Sequence, residues 1–373
     1  MTQIEHQQLV IVGYGPAGLG ASLAAYESGL RGIAAFDPSK RIGAGGLDGL
    51  DILSNSKGSD FTELLPTLLP SAARLLIAQE LSRVTGLVEL TKAASLLEEV
   101  AQRAIEEKIV EVHREQVVQV VRMPNGYQVR TPERTVNSDW LVLAPGGEEV
   151  LLDELALRNL YDPLKPAFTS REVLANSRNE DLEELIEGKN RVAIVGDSHG
   201  AYSVAEKLLR NFPGIEIDVY KHSRTRPFFE NVFEAEQYGY EITDFDQISA
   251  ETGYVNRFKG IRGHARDLWF RERNGELEGR LRSLYDQPLS EIESDVAVIQ
   301  ATGYTARRVP LFDSSNRPLE YVTRPTKEGF AKIQEGVNGS TLPNAFAVGI
   351  GSSATDATTV YQKQARNAFE VLF

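Results

Sequence analysis

The 373-residue chain contains no cysteine. That absence removes a redox-active disulfide, thiolate metal sites and structural disulfides together. Histidine is scarce too: five residues, scattered and nowhere spaced H-x-x-x-H, which argues against a zinc site. No apolar run reaches membrane-spanning length. The start, MTQIEHQQ, is polar and leads straight into strand-like sequence, so no signal peptide is expected. Cations are in the minority, 40 Lys and Arg against 53 Asp and Glu, for a net charge of −13. That balance disfavours nucleic acid and anionic membrane surfaces as partners, while a local cluster of cations can still serve a phosphorylated ligand. The expectation is a soluble cytoplasmic protein. Apolar content is ordinary at 42%, enough for a sizeable core, and the length suits two domains or one inserted into another.

The N-terminal stretch LVIVGYGPAGLGASLAAYESGL opens with an apolar run of strand character. Gly13-Tyr14-Gly15-Pro16-Ala17-Gly18 follows, then a helix of small residues. Gly13 permits the tight turn, Gly15 lets a pyrophosphate approach the backbone, and Gly18 lets the helix pack on the sheet. The helix N-terminus offers free N–H groups and partial positive charge to phosphates. GIAAFDPS reads as the second strand, ending in Asp37 about 20 residues beyond the last glycine, where a carboxylate accepts from a ribose hydroxyl. Strand, glycines, helix, strand and acid in that order form a dinucleotide site, and the Pro16-Ala17 pair inside the loop resembles the FAD version.

A second turn, RVAIVGDSHGAYSVAEKLL, supports two readings. Gly196, Ser198 and Gly200 fit G-x-S-x-G, the turn that exposes a hydrolase serine. They also fit a relaxed dinucleotide turn, with Ser198 at the second glycine position, Ala201 at the third, and His199 beside the pyrophosphate. The next strand ends near Tyr220 and is followed by Lys221, His222 and Arg224. Cations there suit a 2′-phosphate and favour NADPH, although Asp218 within the strand keeps NADH open. The hydrolase alternative needs an acid and a histidine after Ser198, and His222, His264, Asp244 and Asp246 supply the inventory. VNSDWLVLAPGG and SDVAVIQATGY share one design, an Asp, an apolar strand and a small-residue turn. Each would return the chain beside one nucleotide site, the second through Thr302, Gly303 and Tyr304. Between Ile109 and Leu143, short alternating runs around the Asn125-Gly126 turn suggest a three-stranded meander. Val118, within that stretch, is counted among the cofactor-binding positions.

With GYGPAG, GDSHGA and ATGY in order, the chain resembles the class B flavoprotein monooxygenases, and within them the lysine/ornithine N-hydroxylase branch. The run-up FTSREVLANSRNEDLEELIEGKNRVAIVG is similar to the family's, with Phe168-Thr169 where a histidine usually precedes the serine. RPFFENVFEAEQ resembles the family's P-F-V-N-E-x-F segment, with Glu230 in place of the Asn that helps hold the substrate amine and Asn231 following it. GAGGLDGLDILSNSKGSDFTELL resembles the flavin-covering segment without its Trp-His pair, which puts Asn55 and Lys57 near the isoalloxazine. In the C-terminal segment the resemblance implies a strand Ala345–Val348, a turn at Gly349 and Gly351, and a helix from near Thr355 aimed at the flavin, with Asp356 at its start.

The resemblance implies α/β architecture with two Rossmann-like domains: an FAD domain over 1–150 and 310–373, and an NADPH domain over 151–309 inserted into it. The active site would lie in the cleft between them. It implies an FAD- and NADPH-dependent monooxygenase acting with O₂ on a heteroatom of a small molecule, by N-hydroxylation, through a C4a-hydroperoxyflavin. Asn55, Asn231 and Tyr304 are the candidate polar walls of a dry catalytic site. An NAD(P)H-dependent flavoprotein reductase that transfers no oxygen stays open, as does, more weakly, a flavin-binding sensor. A homo-oligomer is compatible with the sequence. Residues 238–290 read as helical and then a hairpin, with substrate contacts among them.

Overall fold

The computed structural model describes residues 4–349 except 64, 153–167, 176–178, 251, 257–259, 294–295 and 327–329, together with the side chain of residue 55. The chain divides into two compact units, Met1–Asp48 with Ser56–Glu148 and Thr305–Phe373, and Gly49–Asn55 with Glu149–Tyr304. The segment Gly49–Asn55 therefore departs from the sequence division, which left it in the first unit. Its attachment is physical: Leu50 and Ile52 pack on the second unit's core, and the Asp51 amide donates to the Leu174 carbonyl at 3.0 Å.

In the first unit the strand Glu5–Val12 lies parallel to Ile33–Phe36 on one side and to Thr135–Leu143 on the other. Glu111–His113 and Thr341–Ala347 extend the parallel sheet at its two sides. Leu9 to Val12 are buried without alternation, as expected of a strand covered on both faces. The helix Pro16–Glu27 is buried from Gly18 through Ala25, so its small residues lie in close packing. The helix Leu90–Glu106 buries Ala93, Leu96, Leu97, Val100 and Ala104 at helical spacing.

The meander forms from Gln119–Met123, Gly126–Arg130 and Thr135–Leu143, antiparallel in sequence. Its third strand doubles as the parallel neighbour of Glu5–Val12. The early part of the expected region, Glu111–His113, is instead a parallel strand beside Ile33–Phe36.

The second unit holds a five-stranded, all-parallel sheet. Its order is Phe168–Thr169, Ala297–Gln300, Arg191–Val195, Glu216–Lys221 and Leu281–Tyr285. The order expected within 238–290, helix and then hairpin, is corrected: an antiparallel bridge of Ile248 with Val255 comes first, and a parallel strand follows the helix. The helix Gly263–Arg273 leads into Leu281–Tyr285, which pairs parallel with Glu216–Lys221 and sets buried Leu281 beside Ile217. The crossover helix makes that pairing accessible, where a hairpin would require an antiparallel neighbour.

Candidate dinucleotide sites

The first turn is built by steric exclusion. Gly13 has φ +94°, and a Cβ placed on it would stand 2.1 Å from the Ala144 carbonyl oxygen. The backbone knits the three strands there: Gly13 N–H donates to Phe36 O at 2.8 Å, and Ala144 N–H to Val12 O at 2.8 Å. A Cβ on Gly18 would meet Gly13 O at 2.0 Å, which fixes how closely the helix sits. Gly15 is the N-cap, and Pro16 at the first helical position sacrifices no hydrogen bond. The N–H groups of Ala17 and Gly18 stand in the first turn of that helix, where no intrahelical acceptor exists.

Asp37 follows the second strand. Its carboxylate accepts from the Tyr14 amide at 2.6 Å and from the Ser39 amide at 2.8 Å. These bonds, with another from the Ser39 hydroxyl to Oδ1 at 2.5 Å, aim the group at the glycine turn and leave about one lone-pair site, on Oδ2, for a ribose hydroxyl. Three residues missed in the sequence support this turn. Gly43 donates its N–H to Tyr14 O at 2.7 Å, and a Cβ on Gly45 would come within 2.9 Å of Gly15 Cα. Arg41 anchors that loop to Glu98 at 2.7 Å and to Asp48 at 2.5 Å. The signal was the close run of glycines after an arginine.

The second turn repeats the device. Gly196 has φ +149°, and its Cβ would stand 2.1 Å from the Ala301 carbonyl oxygen. Gly196 N–H donates to Tyr220 O at 3.0 Å, and Ala301 N–H to Val195 O at 2.7 Å. Ser198 caps the helix His199–Asn211 with φ −112°, ordinary extended backbone in place of a nucleophile elbow's strained turn. No hydrogen bond links Ser198 to a histidine among the described residues. His264 faces Glu206 at 3.3 Å, His222 is fully exposed, and Asp246 is spent within its own loop. The hydrolase alternative thus loses its triad.

A Cβ on Gly200 would meet nothing nearer than Ser170 Oγ at 3.6 Å, and Ala201 is wholly buried in the helix packing. His199 differs from a cationic phosphate contact. Its Nδ1 is buried with no hydrogen-bond partner among the described residues. Burial, then the nearby Arg262 guanidinium, pushes its pKa down to about 4. The imidazole is neutral at physiological pH and offers the site no charge.

At the end of the strand Glu216–Lys221 the expected cations separate. Lys221 is 3% exposed, with its ammonium bonded to the Tyr202 hydroxyl and 4.8 Å from that ring's centroid. This corrects its expected place at an exposed phosphate. Strand parity sends Lys221 to the same buried side as Val219. Asp218, the residue that kept NADH open, is likewise occupied by Arg282, at 2.5 and 2.9 Å. His222 and Arg224 are exposed. Ser223 donates to the Asp197 carboxylate from both amide and hydroxyl, and Thr225 donates to the Asp197 carbonyl at 3.3 Å. With its neighbours held inward, Arg224 stands outward beside the glycine turn.

Tyr304 gathers with Ser170 and Glu149. Burial, then the Glu149 carboxylate, holds its phenol above the ordinary range. Ser170 Oγ donates to Glu149 at 2.6 Å. Gly303 accepts from the Val150 amide at 2.9 Å, and the Thr302 hydroxyl donates to Val150 O. Asn231 proves to be the N-cap of the helix Val232–Gln237, its Oδ1 accepting from the Glu234 amide at 2.8 Å. That structural role was absent from the expectation for it. Val118 is 47% exposed and its amide is spent on Arg130 O at 2.9 Å, so that N–H is not offered to a cofactor. Asn55 belongs to the strand Leu53–Lys57, while its side chain, Asp356 and the rest of the C-terminal turn and helix fall outside the described residues.

No family model matches the chain. A CMP-5′-(3-aminopropyl)phosphonate hydroxylase from Streptomyces rubellomurinus is 28% identical over 367 residues, covering 86% of this chain and 82% of that protein. The solved ornithine N-hydroxylase of Kutzneria sp. 744 is 17% identical with a TM-score of 0.63, over 99% of this chain and 98% of that one. The bacillithiol disulfide reductase of Staphylococcus aureus is 12% identical with a TM-score of 0.58, over 99% and 98%. Oxygenase and reductase share the architecture, so the fold by itself does not choose between them. By fold the chain carries two Rossmann-type dinucleotide-binding domains and is similar to the class B flavoprotein monooxygenases, an ornithine N-hydroxylase among them.

Proposed function

We propose that the chain is an FAD- and NADPH-dependent monooxygenase that hydroxylates an amine nitrogen of a small molecule. The observation that carries the reading is the repeated backbone device, Gly13 against Ala144 and Gly196 against Ala301, one at each parallel sheet. Two such turns in one chain suit an electron donor and an electron acceptor, both dinucleotides.

The residues present fit both groups. In the first unit Gly13, Gly15, Pro16, Ala17 and Gly18 would hold the FAD pyrophosphate, and Asp37 its ribose. In the second, Gly196, Ser198, Gly200 and Ala201 would hold the NADPH pyrophosphate beside a neutral His199. Arg224, exposed and with no carboxylate partner among the described residues, would take the 2′-phosphate, with His222 near it. Asp218, the acid within the second strand, is paired with Arg282 and so does not oppose that phosphate. Bound FAD would supply transfer of the nicotinamide's electrons and activation of O₂. Tyr304 and Asn55 remain the proposed polar walls of the catalytic site.

The relative's name directs the first substrate screen to primary amines on short phosphonates and their nucleotide conjugates. FAD-loaded protein is expected to show NADPH-dependent O₂ uptake coupled to a product one oxygen atom heavier than the amine. Protein that cannot be loaded with FAD ends the reading. NADPH oxidation that never yields an oxygenated product returns the chain to the reductase class.

A further inference from the structure

The loop between the helix Val232–Gln237 and the helix Gly263–Arg273 carries a phenylalanine in an unusual setting. Phe245 is 65% exposed, although the loop beneath it is firmly tied. Asp246 accepts from Tyr240 Oη at 2.7 Å, from the Thr243 amide at 2.8 Å and from Asn256 Nδ2 at 2.7 Å. Asn256 is 1% exposed, accepts from the Gln247 amide at 3.0 Å and donates to Pro227 O at 3.1 Å. A lone exposed aromatic is unremarkable on a protein surface. One held out on a pinned loop beside a cation with no carboxylate partner among the described residues is different: the Arg224 guanidinium carbon stands 5.9 Å from the Phe245 ring centroid. Arg224 is in turn fixed by Ser223 and Thr225 on Asp197, inside the second glycine turn.

We infer that Phe245 is a stacking platform for the adenine of the nicotinamide dinucleotide, with Arg224 beside it taking the adjoining phosphate. The inference rests on the proposed use of the second turn for NADPH. An aromatic face accepts a purine with little loss of conformational freedom, because the ring has few torsions to freeze. Asp246 then acts as a positioning residue, holding the loop so that the ring needs no reordering when the base arrives. Sequence alone assigns Phe245 no role, because a single Phe beside an Asp-centred turn forms no motif.

The test follows anaerobic reduction of the FAD-loaded full chain by loss of flavin absorption, with NADPH and with reduced nicotinamide mononucleotide, which lacks adenine. Phe245→Ala is expected to raise the half-saturating NADPH concentration about tenfold, the scale of one base–aromatic stack. The limiting rate and the response to the mononucleotide should stay at the wild-type level, and Phe245→Trp should restore NADPH affinity. Asp246→Asn should raise the same concentration more modestly with the ring still present. Unchanged NADPH affinity in Phe245→Ala, with NADP⁺ binding intact in wild type, overturns this inference alone. A change confined to the amine substrate's affinity also overturns it, and would give the ring to a substrate base. Wild-type protein that binds no NADP⁺ removes the underlying reading with it.

Discussion

Gly196 lies so close to Ala301 that a methyl group on the glycine would stand 2.1 Å from the alanine's carbonyl oxygen. Backbone on both sides leaves no flexible side chain to give way. Gly196→Ala must therefore distort the turn, and the positive φ adds strain of about 1–2 kcal/mol by itself. The expected result is a yellow protein that keeps FAD while NADPH reduces it at least about a hundredfold less efficiently, the loss of about 3 kcal/mol of cofactor binding. Gly13→Ala, against Ala144, should show the reverse, weak FAD retention with NADP⁺ binding preserved. Flavin content after gel filtration and NADP⁺ titration separate the two. Equal loss of both cofactors in each variant would show that the turns are not independent sites.

Coenzyme choice should reside in Arg224. Removing one charge-assisted phosphate contact costs about 1.5–3 kcal/mol, or roughly 10- to 100-fold. Arg224→Ala is expected to lower the NADPH over NADH preference by that factor through KM, with the NADH value little changed. A preference that survives the substitution would move the 2′-phosphate elsewhere.

His199 makes a pH-dependent contribution. Its folded pKa, about 4, lies below the ordinary 6.5, so the unfolded chain binds the proton first as pH falls. Stability from this residue is complete above pH 6.5 and is lost as the pH drops toward 4. The cost reaches about 2 kcal/mol by pH 5. Urea midpoints at pH 7 and pH 5 should converge in His199→Gln relative to wild type. An identical pH response in the variant would show that the imidazole titrates freely.

The two turns were legible because their glycines answer to steric exclusion that no other side chain satisfies. Asp37 was legible by its place after the second strand. Side-chain direction was harder to read. Lys221, His222 and Arg224 form one basic cluster as letters, yet period-two geometry puts Lys221 on the face of buried Val219. Asn231 and Glu234 carry N-cap spacing, and the likeness to a substrate-binding segment drew attention away from it. Leu281–Tyr285 is an edge strand with only Leu281 deeply buried, so its pattern is weak and the glycines before it resemble a hairpin. Nothing local marks Gly49–Asn55 as part of the second unit; Leu50 and Ile52 decide it through distant contacts.

Lys221 supplies the sharpest contrast with Arg224. Its ammonium is buried against Tyr202 and Tyr285, 5.4 Å from the latter's ring centroid. Burial brings its pKa down to about 8, although Glu272 and Asp197 pull the other way. The depressed value means that the charged form is disfavoured in the folded state. Stability should therefore rise as pH increases from about 8 toward 10.5, where the folded protein has lost the proton and the unfolded chain still holds it. Lys221→Met is expected to stabilise the protein at pH 7 by about 1–3 kcal/mol, since Tyr202 keeps its bond to Glu272 at 3.0 Å. That advantage should shrink through the same alkaline window. NADPH affinity should stay within about twofold of wild type, because the side chain faces the core and a phosphate on the surface gains little from it. A large loss of NADPH affinity in this variant would place the ammonium in the binding site after all, and destabilisation at neutral pH would show that Tyr202 and its neighbours more than compensate the buried charge.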